Sequence, residues 1–318
     1  MGVTLKLKFQ LYCQSALVNM LIGNYRKHIM TRLGISVALL TPFTSEGGID
    51  TALLASHAQA MIDKGAHGVT VFGTTGEGAS IAMVERTQAI GALLTGKIAS
   101  EQVFVGLCAT SLGDILAQID QALAFGIDTF LLLPPFYFPG PSDAGLYAWH
   151  AALFAQADAR AKFILYHIPQ ITAVPLSFEL VIGLRGAFPN RVIAIKDSSG
   201  SWANTERLLN HGGIPVLVGD ERLLHRALPL GASGSICGMA NLHPARLCAL
   251  FDTGAEDVAL SRQVDAVVSV PVIPALKALM AQQTGNSAWE NLRAPLAPLD
   301  QPACASLLAA THDGLSSA

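Results

Sequence analysis

Lysine is scarce in this chain, with eight among 318 residues. Lys196 differs from the others because it directly follows the apolar run Val192-Ile193-Ala194-Ile195. If that run is a buried strand, the amine lies poorly hydrated at its carboxyl end. Dehydration disfavours the ammonium and frees the amine as a nucleophile. Such an amine attacks ketones and forms a Schiff base. A structural ion pair with Asp197 or Glu221 would account equally for the placement. Tyr166 ends a second apolar run at the equivalent depth. Schiff-base chemistry needs proton transfers at the carbinolamine and at the C–C bond made or broken, and a phenol near a cation can carry them. A core tyrosine with a satisfied hydroxyl is the alternative. Gly73-Thr74-Thr75-Gly76-Glu77 offers backbone N–H groups and two hydroxyls suited to a carboxylate, a pattern that many Gly-Thr loops share. Cys237 lies nearby and reads as a buried, inert thiol. The nine histidines include no i, i+2 or i, i+4 pair on one element, so metal-dependent aldol chemistry is disfavoured. His167 alternates with Tyr166 and points away from it in a strand.

These groups need a frame, and the chain has a regular one from Gly34 onward. Short β-branched runs alternate with longer segments of helical period. Strands are predicted at Ile35–Leu40, Gly68–Phe72, Val103–Cys108, Thr129–Leu133, Phe163–Ile168, Val192–Lys196, Ile214–Val218 and Ser235–Met239. Helices are predicted at Asp50–Lys64, Met83–Thr95, Asp114–Ala124, Asp143–Gln156, Ser177–Leu184, Trp202–Asn210 and Glu221–Leu230, with Gly65, Gly126 and Gly231 as C-caps. The step from strand to strand is about 29 residues, room for a strand, a helix and two short loops. Eight such units describe a (β/α)8 TIM barrel over 34–242. A doubly wound open sheet would want a glycine-rich turn after its first strand, and Thr41-Pro42-Phe43 stands there instead. Helical periodicity at Glu256–Val268, Ala275–Gln283 and Ala303–Ala310 gives a C-terminal helical extension over 243–318. Barrels of this kind bring chemistry to the carboxyl ends of their strands. That end receives Lys196, Tyr166, the Gly73–Glu77 loop, Ser198 and the Gly219-Asp220-Glu221 turn.

Composition removes several other classes. With 20 basic and 23 acidic residues the net charge is −3, leaving no basic surplus for a nucleic acid backbone. A mean hydropathy of +0.44 raises the question of a membrane span, but Thr129–Phe138 contains two prolines. Val264–Met280 is broken by Asp265, Pro271, Pro274 and Lys277, so neither stretch supplies the ~20 apolar residues of a span. High hydropathy with 14% charged residues suits strands buried on both faces. Five scattered cysteines without a CxxC pair fit a reducing cytoplasm. Residues 1–33 differ from the rest and read as a disordered extension or an over-long start with Met30 as initiator. Gln10, Gln14 and Asn19 interrupt what a signal peptide would need.

Three motifs together, Gly73-Thr74-Thr75-Gly76-Glu77, Tyr166-His167-Ile168-Pro169 and Ile195-Lys196-Asp197-Ser198-Ser199-Gly200, resemble the dihydrodipicolinate synthase / N-acetylneuraminate lyase family of class I pyruvate aldolases. The resemblance covers about Gly34 to Leu299. It implies that Lys196 forms an imine with pyruvate or another 2-oxo acid, that Tyr166 shuttles protons, and that Thr74 and Thr75 hold the carboxylate. It further implies a relay from Thr74 to Tyr137 across a subunit interface, hence a homodimer or homotetramer, and a pocket lined by Gly73 and by the backbone of Ile236. No cofactor or metal is implied.

The departures bear on the substrate. Where lysine-pathway synthases carry an arginine for aspartate semialdehyde, five residues after the tyrosine, this chain has Ile171. Losing a bidentate carboxylate partner is a large effect. Pro135-Phe136-Tyr137-Phe138-Pro139 is similar to the lyase side of the family. Asp220-Glu221 resembles the acidic pair with which neuraminate lyases grip hydroxyls, and Ser198 could donate to one. The expectation is a lyase or dehydratase of a 2-keto-3-deoxy sugar acid, releasing pyruvate and a neutral polyhydroxylated aldehyde. The alternatives are 4-hydroxy-tetrahydrodipicolinate synthase, N-acetylneuraminate lyase and a non-catalytic sugar-acid-binding barrel.

Overall fold

The computed structural model describes residues 32–315. The expectation for the N-terminal extension, Met30 included, therefore lies outside the described residues except at Arg32 and Leu33. Eight parallel strands follow one another around a closed barrel in chain order. They are β1 Gly34–Ala38, β2 Gly68–Val71, β3 Val103–Leu107, β4 Thr129–Leu132, β5 Lys162–His167, β6 Val192–Asp197, β7 Val216–Val218 and β8 Gly234–Cys237. β8 closes on β1 with Ser36 opposite Ile236. The fold is a (β/α)8 TIM barrel with C-terminal helices, as the sequence rhythm indicated.

Strand side chains alternate between two cores. Ala38, Leu131, Ile164, Tyr166, Ala194, Leu217 and Ile236 fill the barrel interior. Val37, Val69, Val105, Leu132, Leu165, Ile195 and Val216 pack outward against the helices. Both faces are buried, which explains why the strands read as near-continuous apolar runs.

The helices in chain order are α1 Thr51–Asp63, α2 Met83–Thr95, α3 Leu112–Leu123, α4 Asp143–Gln156, α5 Pro169–Thr172, α6 Phe178–Ala187, α7 Trp202–His211, α8 Glu221–Ala227, α9 Pro244–Thr253, α10 Val258–Val268, α11 Val272–Thr284 and α12 Gln301–Leu315. Several start on a side-chain cap, with Ser111, Ser142, Ser177 and Ser201 accepting from backbone N–H groups of the first turn. Gly65, Gly126 and Gly231 all take positive φ.

The structure corrects the reading in four places. α8 stops at Ala227 and a 3-10 turn, Leu228–Leu230, follows, because Pro229 cannot donate to an α-helical ladder. α5 is a single turn opened by Pro169, too short to leave a periodic signal. α9, absent from the predicted helices, packs on β1 and α8 directly after the eighth strand. α11 begins at Val272 rather than Ala275, since Pro274 sits in the first turn, where N–H groups have no intrahelical acceptor.

Candidate active site

β5 and β6 pair so that Tyr166 stands opposite Lys196, and His167 opposite Asp197. The two-residue period then sends Lys196 and Tyr166 into the barrel and His167 and Asp197 out to the helices. Outside, Asp197 accepts from Ser199 N (3.0 Å), Asn204 Nδ2 (2.9 Å) and Thr205 Oγ1 (2.7 Å). His167 Nδ1 accepts from Leu176 N at 3.1 Å, and burial holds the imidazole below its ordinary range. Inside, Lys196 is 5% exposed. Its Nζ lies 4.2 Å from the Tyr166 ring centroid. Among the described residues no carboxylate stands within ion-pair distance of it. Asp197 is turned away, and Glu221 Oε1 accepts from Met239 N at 2.9 Å. The structural ion pair that could have explained Lys196 is thus not formed.

Thr74 Oγ1 lies 3.4 Å from the Tyr166 hydroxyl. The loop that presents Thr74 and Thr75 is tightly wound. Phe72 and Glu77 both take left-handed φ, 58° and 56°, and Gly78 N donates to Gly73 O at 3.1 Å. A Cβ on Gly78 would fall 1.9 Å from Phe72 O, so only glycine fits there.

Beneath the loop lies an ion pair that the sequence reading missed. Lys277 Nζ is 2.6 Å from Glu77 Oε1, with both side chains almost wholly buried. The same ammonium donates to Asn291 O at 2.7 Å and sits 4.4 Å over the Phe43 ring. Burial pushes the Lys277 ammonium below its usual range, and Glu77 opposes that shift. Arg293 adds a pair with Glu85 and donates to Gly47 O and Ser80 O. The C-terminal region thereby clamps the loops after β1 and β2. The signal available in the sequence was a lone lysine in an apolar helix, which demands a buried partner.

A cavity of about 560 Å3 opens over Lys196. It gathers Thr74, Thr75, Tyr166, Lys196 and Ile236, and on its flank Ile171, Ser198, Asp220 and Glu221. Gly73 is buried and does not line it. Tyr137 stands apart, 77% exposed beside the equally exposed Phe138.

The two acids are already engaged. Asp220 caps α8 and takes both its oxygens to Arg222, from Nε at 2.9 Å and from Nη2 at 2.7 Å. Arg222 also reaches Asp265 Oδ1 at 2.7 Å. Burial pushes the Glu221 carboxyl up, against its hydrogen bond from Met239 N. Both acids thus reach the flank of the cavity with protein partners already bound. Cys237 is buried, and burial, then the neighbouring Glu221, pushes its thiol well above the ordinary range.

A model of the dihydrodipicolinate synthetase family matches residues 31–311. The chain belongs to this family. A dihydrodipicolinate synthase from Agrobacterium tumefaciens superposes with a TM-score of 0.85 at 38% identity, covering 88% of this chain and 99% of that one. An uncharacterised DapA-like lyase of Chloroflexus aurantiacus is 35% identical over 286 residues, 87% of this chain and 95% of the relative. The chloride-inhibited dihydrodipicolinate synthase from Acinetobacter baumannii, complexed with pyruvate, is 26% identical with a TM-score of 0.78, covering 89% of this chain and 99% of that one. As a member of the dihydrodipicolinate synthetase family the protein is a lyase. Among the described residues no helix is long and apolar enough to cross a membrane.

Proposed function

We propose that the protein is a class I aldolase working through a pyruvate–Lys196 imine, with a 2-keto-3-deoxy acid as substrate. The observation that carries this reading is the Lys196 amine, buried, without a carboxylate partner among the described residues, and 4.2 Å from the Tyr166 ring at the floor of a cavity. The amine attacks C2 of pyruvate, and the carbinolamine expels water to give the imine. Loss of a C3 proton leaves an enamine. Its C3 bonds to the carbonyl carbon of an aldehyde, and the former carbonyl oxygen takes a proton from the Tyr166 hydroxyl. Water then hydrolyses the imine, freeing the 4-hydroxy-2-oxo acid and the lysine. Cleavage runs the same steps backwards. Thr74, 3.4 Å from Tyr166, would return the proton. Thr75 and the loop N–H groups suit the pyruvyl carboxylate. The exposed Tyr137 supports a relay completed by a second copy of the chain, hence a homodimer or a homotetramer.

The pyruvate-bound relative from Acinetobacter supports the first partner. For the second, condensation with aspartate semialdehyde has the names of the synthases in its favour. Ile171 and the absence of a free cation beside it, among the described lining residues, stand against it. A sugar-derived tail would have to use Asp220, Glu221 and Ser198, and the first two already hold protein partners. The test is incubation with pyruvate and borohydride, then peptide mass mapping. An adduct on Lys196 that is lost in Lys196→Ala is expected, and no adduct on the wild-type chain would defeat the reading.

A further inference from the structure

We propose that the aldehyde taken by this site is uncharged and apolar, an aliphatic or aryl aldehyde rather than a polyol or a second acid. This rests on the imine reading above and names the second half of its substrate.

The cavity lining joins polar groups, Thr74, Thr75, Gln170, Ser198 and Ser199 among them, to one continuous apolar wall. Above Lys196 the wall comes from the α10–α11 junction, where Val264, Val267, Val268, Val272, Ile273 and Leu276 line the cavity. Ile171, on α5, lines the same cavity. Three of these are large apolar side chains left open to solvent: Ile171 at 63%, Val268 at 47% and Val272 at 40%. Exposed apolar side chains scattered singly need no explanation, but a cluster on the rim of one cavity marks a binding surface.

Charge points the same way. Among the described residues, the cations lining the cavity are Lys196 and Arg222. The first is committed to the imine. The second is held by two carboxylates, Asp220 and Asp265. Among the described lining residues a second substrate carboxylate would meet no unengaged cation, and it would stand beside the carboxyl of Glu221. Acceptors for hydroxyls are few, since Arg222 takes both oxygens of Asp220 and Met239 N takes Oε1 of Glu221. An apolar tail loses nothing by leaving water for the valine wall. In the aldol step the enamine carbon bonds to the aldehyde carbon and the aldehyde oxygen takes the Tyr166 proton, so the tail takes no part in the chemistry.

The test uses the full chain at saturating pyruvate, with benzaldehyde and butanal set against D-glyceraldehyde and succinic semialdehyde, and pyruvate consumption as readout. The expected result is a KM for the apolar probes at least about tenfold below that for the other two. Val268→Asp, at a half-exposed position, should raise the benzaldehyde KM about tenfold, while Val268→Ile stays within about twofold of the parent. Borohydride trapping with pyruvate on the same preparation separates the two levels of the argument. Without an adduct on the wild-type chain, the imine reading and this inference fall together. An adduct accompanied by a lower KM for glyceraldehyde or succinic semialdehyde, by no turnover of the apolar probes, or by an unchanged benzaldehyde KM in Val268→Asp overturns this inference alone.

Discussion

The chemistry proposed for Lys196 depends on its neighbours on both sides of one strand. Asp197 is bound by Ser199, Asn204 and Thr205 outside the barrel and cannot swing in to neutralise the amine. Tyr166 is held 3% exposed at the matching register position. A phenol there is the group best placed to move protons, so Tyr166→Phe should lower kcat about 10²–10⁴-fold. Its KM for pyruvate should change far less, because the ring still packs on the lysine. Steady-state kinetics check both numbers, and a kcat within a few-fold of wild type would remove Tyr166 from the shuttle. Lys196 and Tyr166 were legible in the sequence because each ends an apolar run and strand period alone decides which face it takes. Glu221 was only half legible. Its position beside the site follows from the β7 terminus, but its hydrogen bond from Met239 N depends on the loop after β8.

At the level of elements, the loop after β2 is the least self-sufficient part of the site. Two left-handed non-glycine residues, Phe72 and Glu77, are sustained by packing from α2, the β1 loop and α11. The Glu77–Lys277 pair is the deepest of these supports. Lys277→Met leaves a buried carboxylate without its cation, and should cost about 3–5 kcal/mol of stability, read by urea unfolding. A Glu77→Gln/Lys277→Met double variant should recover part of that loss, since neither charge then lies buried alone. In Lys277→Met the KM for pyruvate should also rise about tenfold or more, because Thr74 and Thr75 ride on the same loop. Unchanged stability would show that the pair contributes nothing to holding the loop. The helices themselves were legible wherever an apolar stripe, a serine cap and a glycine stop coincided. α5 and α9 were not, one being a single turn and the other opening on a proline shortly after a strand.

At the level of the whole molecule, buried histidines couple folding to pH, with His57, His150 and His243 all held down by burial. His57 donates from Nε2 to Asn241 Oδ1 at 2.9 Å, and His150 donates from Nδ1 to Leu146 O at 2.7 Å. Burial pushes both down to about 4. The unfolded chain takes up these protons below about 6.5, whereas the folded protein refuses them until about 4. The unfolded state therefore binds more protons in that window, and stability is lost as pH falls through it. The loss is on the order of 2 kcal/mol per histidine by pH 5. Thermal unfolding should show a Tm several degrees lower at pH 5 than at pH 7, with a smaller drop in His57→Gln. A pH-independent Tm across that range would contradict the neutral state of these rings. If a second copy completes the site, inactive Tyr137→Phe and Lys196→Ala chains should complement when mixed, restoring about a quarter of wild-type activity through hybrid dimers. No recovery would place Tyr137 outside the relay.

Local periodicity determined the barrel, the order of its strands and the inward placing of Lys196 and Tyr166, since those depend on residues two to four positions apart. Tertiary structure alone decided which charges meet. Glu77 finds Lys277 roughly 200 residues away, Arg222 draws Asp265 onto Asp220, and valines from the C-terminal helices become the wall of a cavity whose floor belongs to β5 and β6. Burial makes each charge require a partner, but only the closed chain brings that partner within reach.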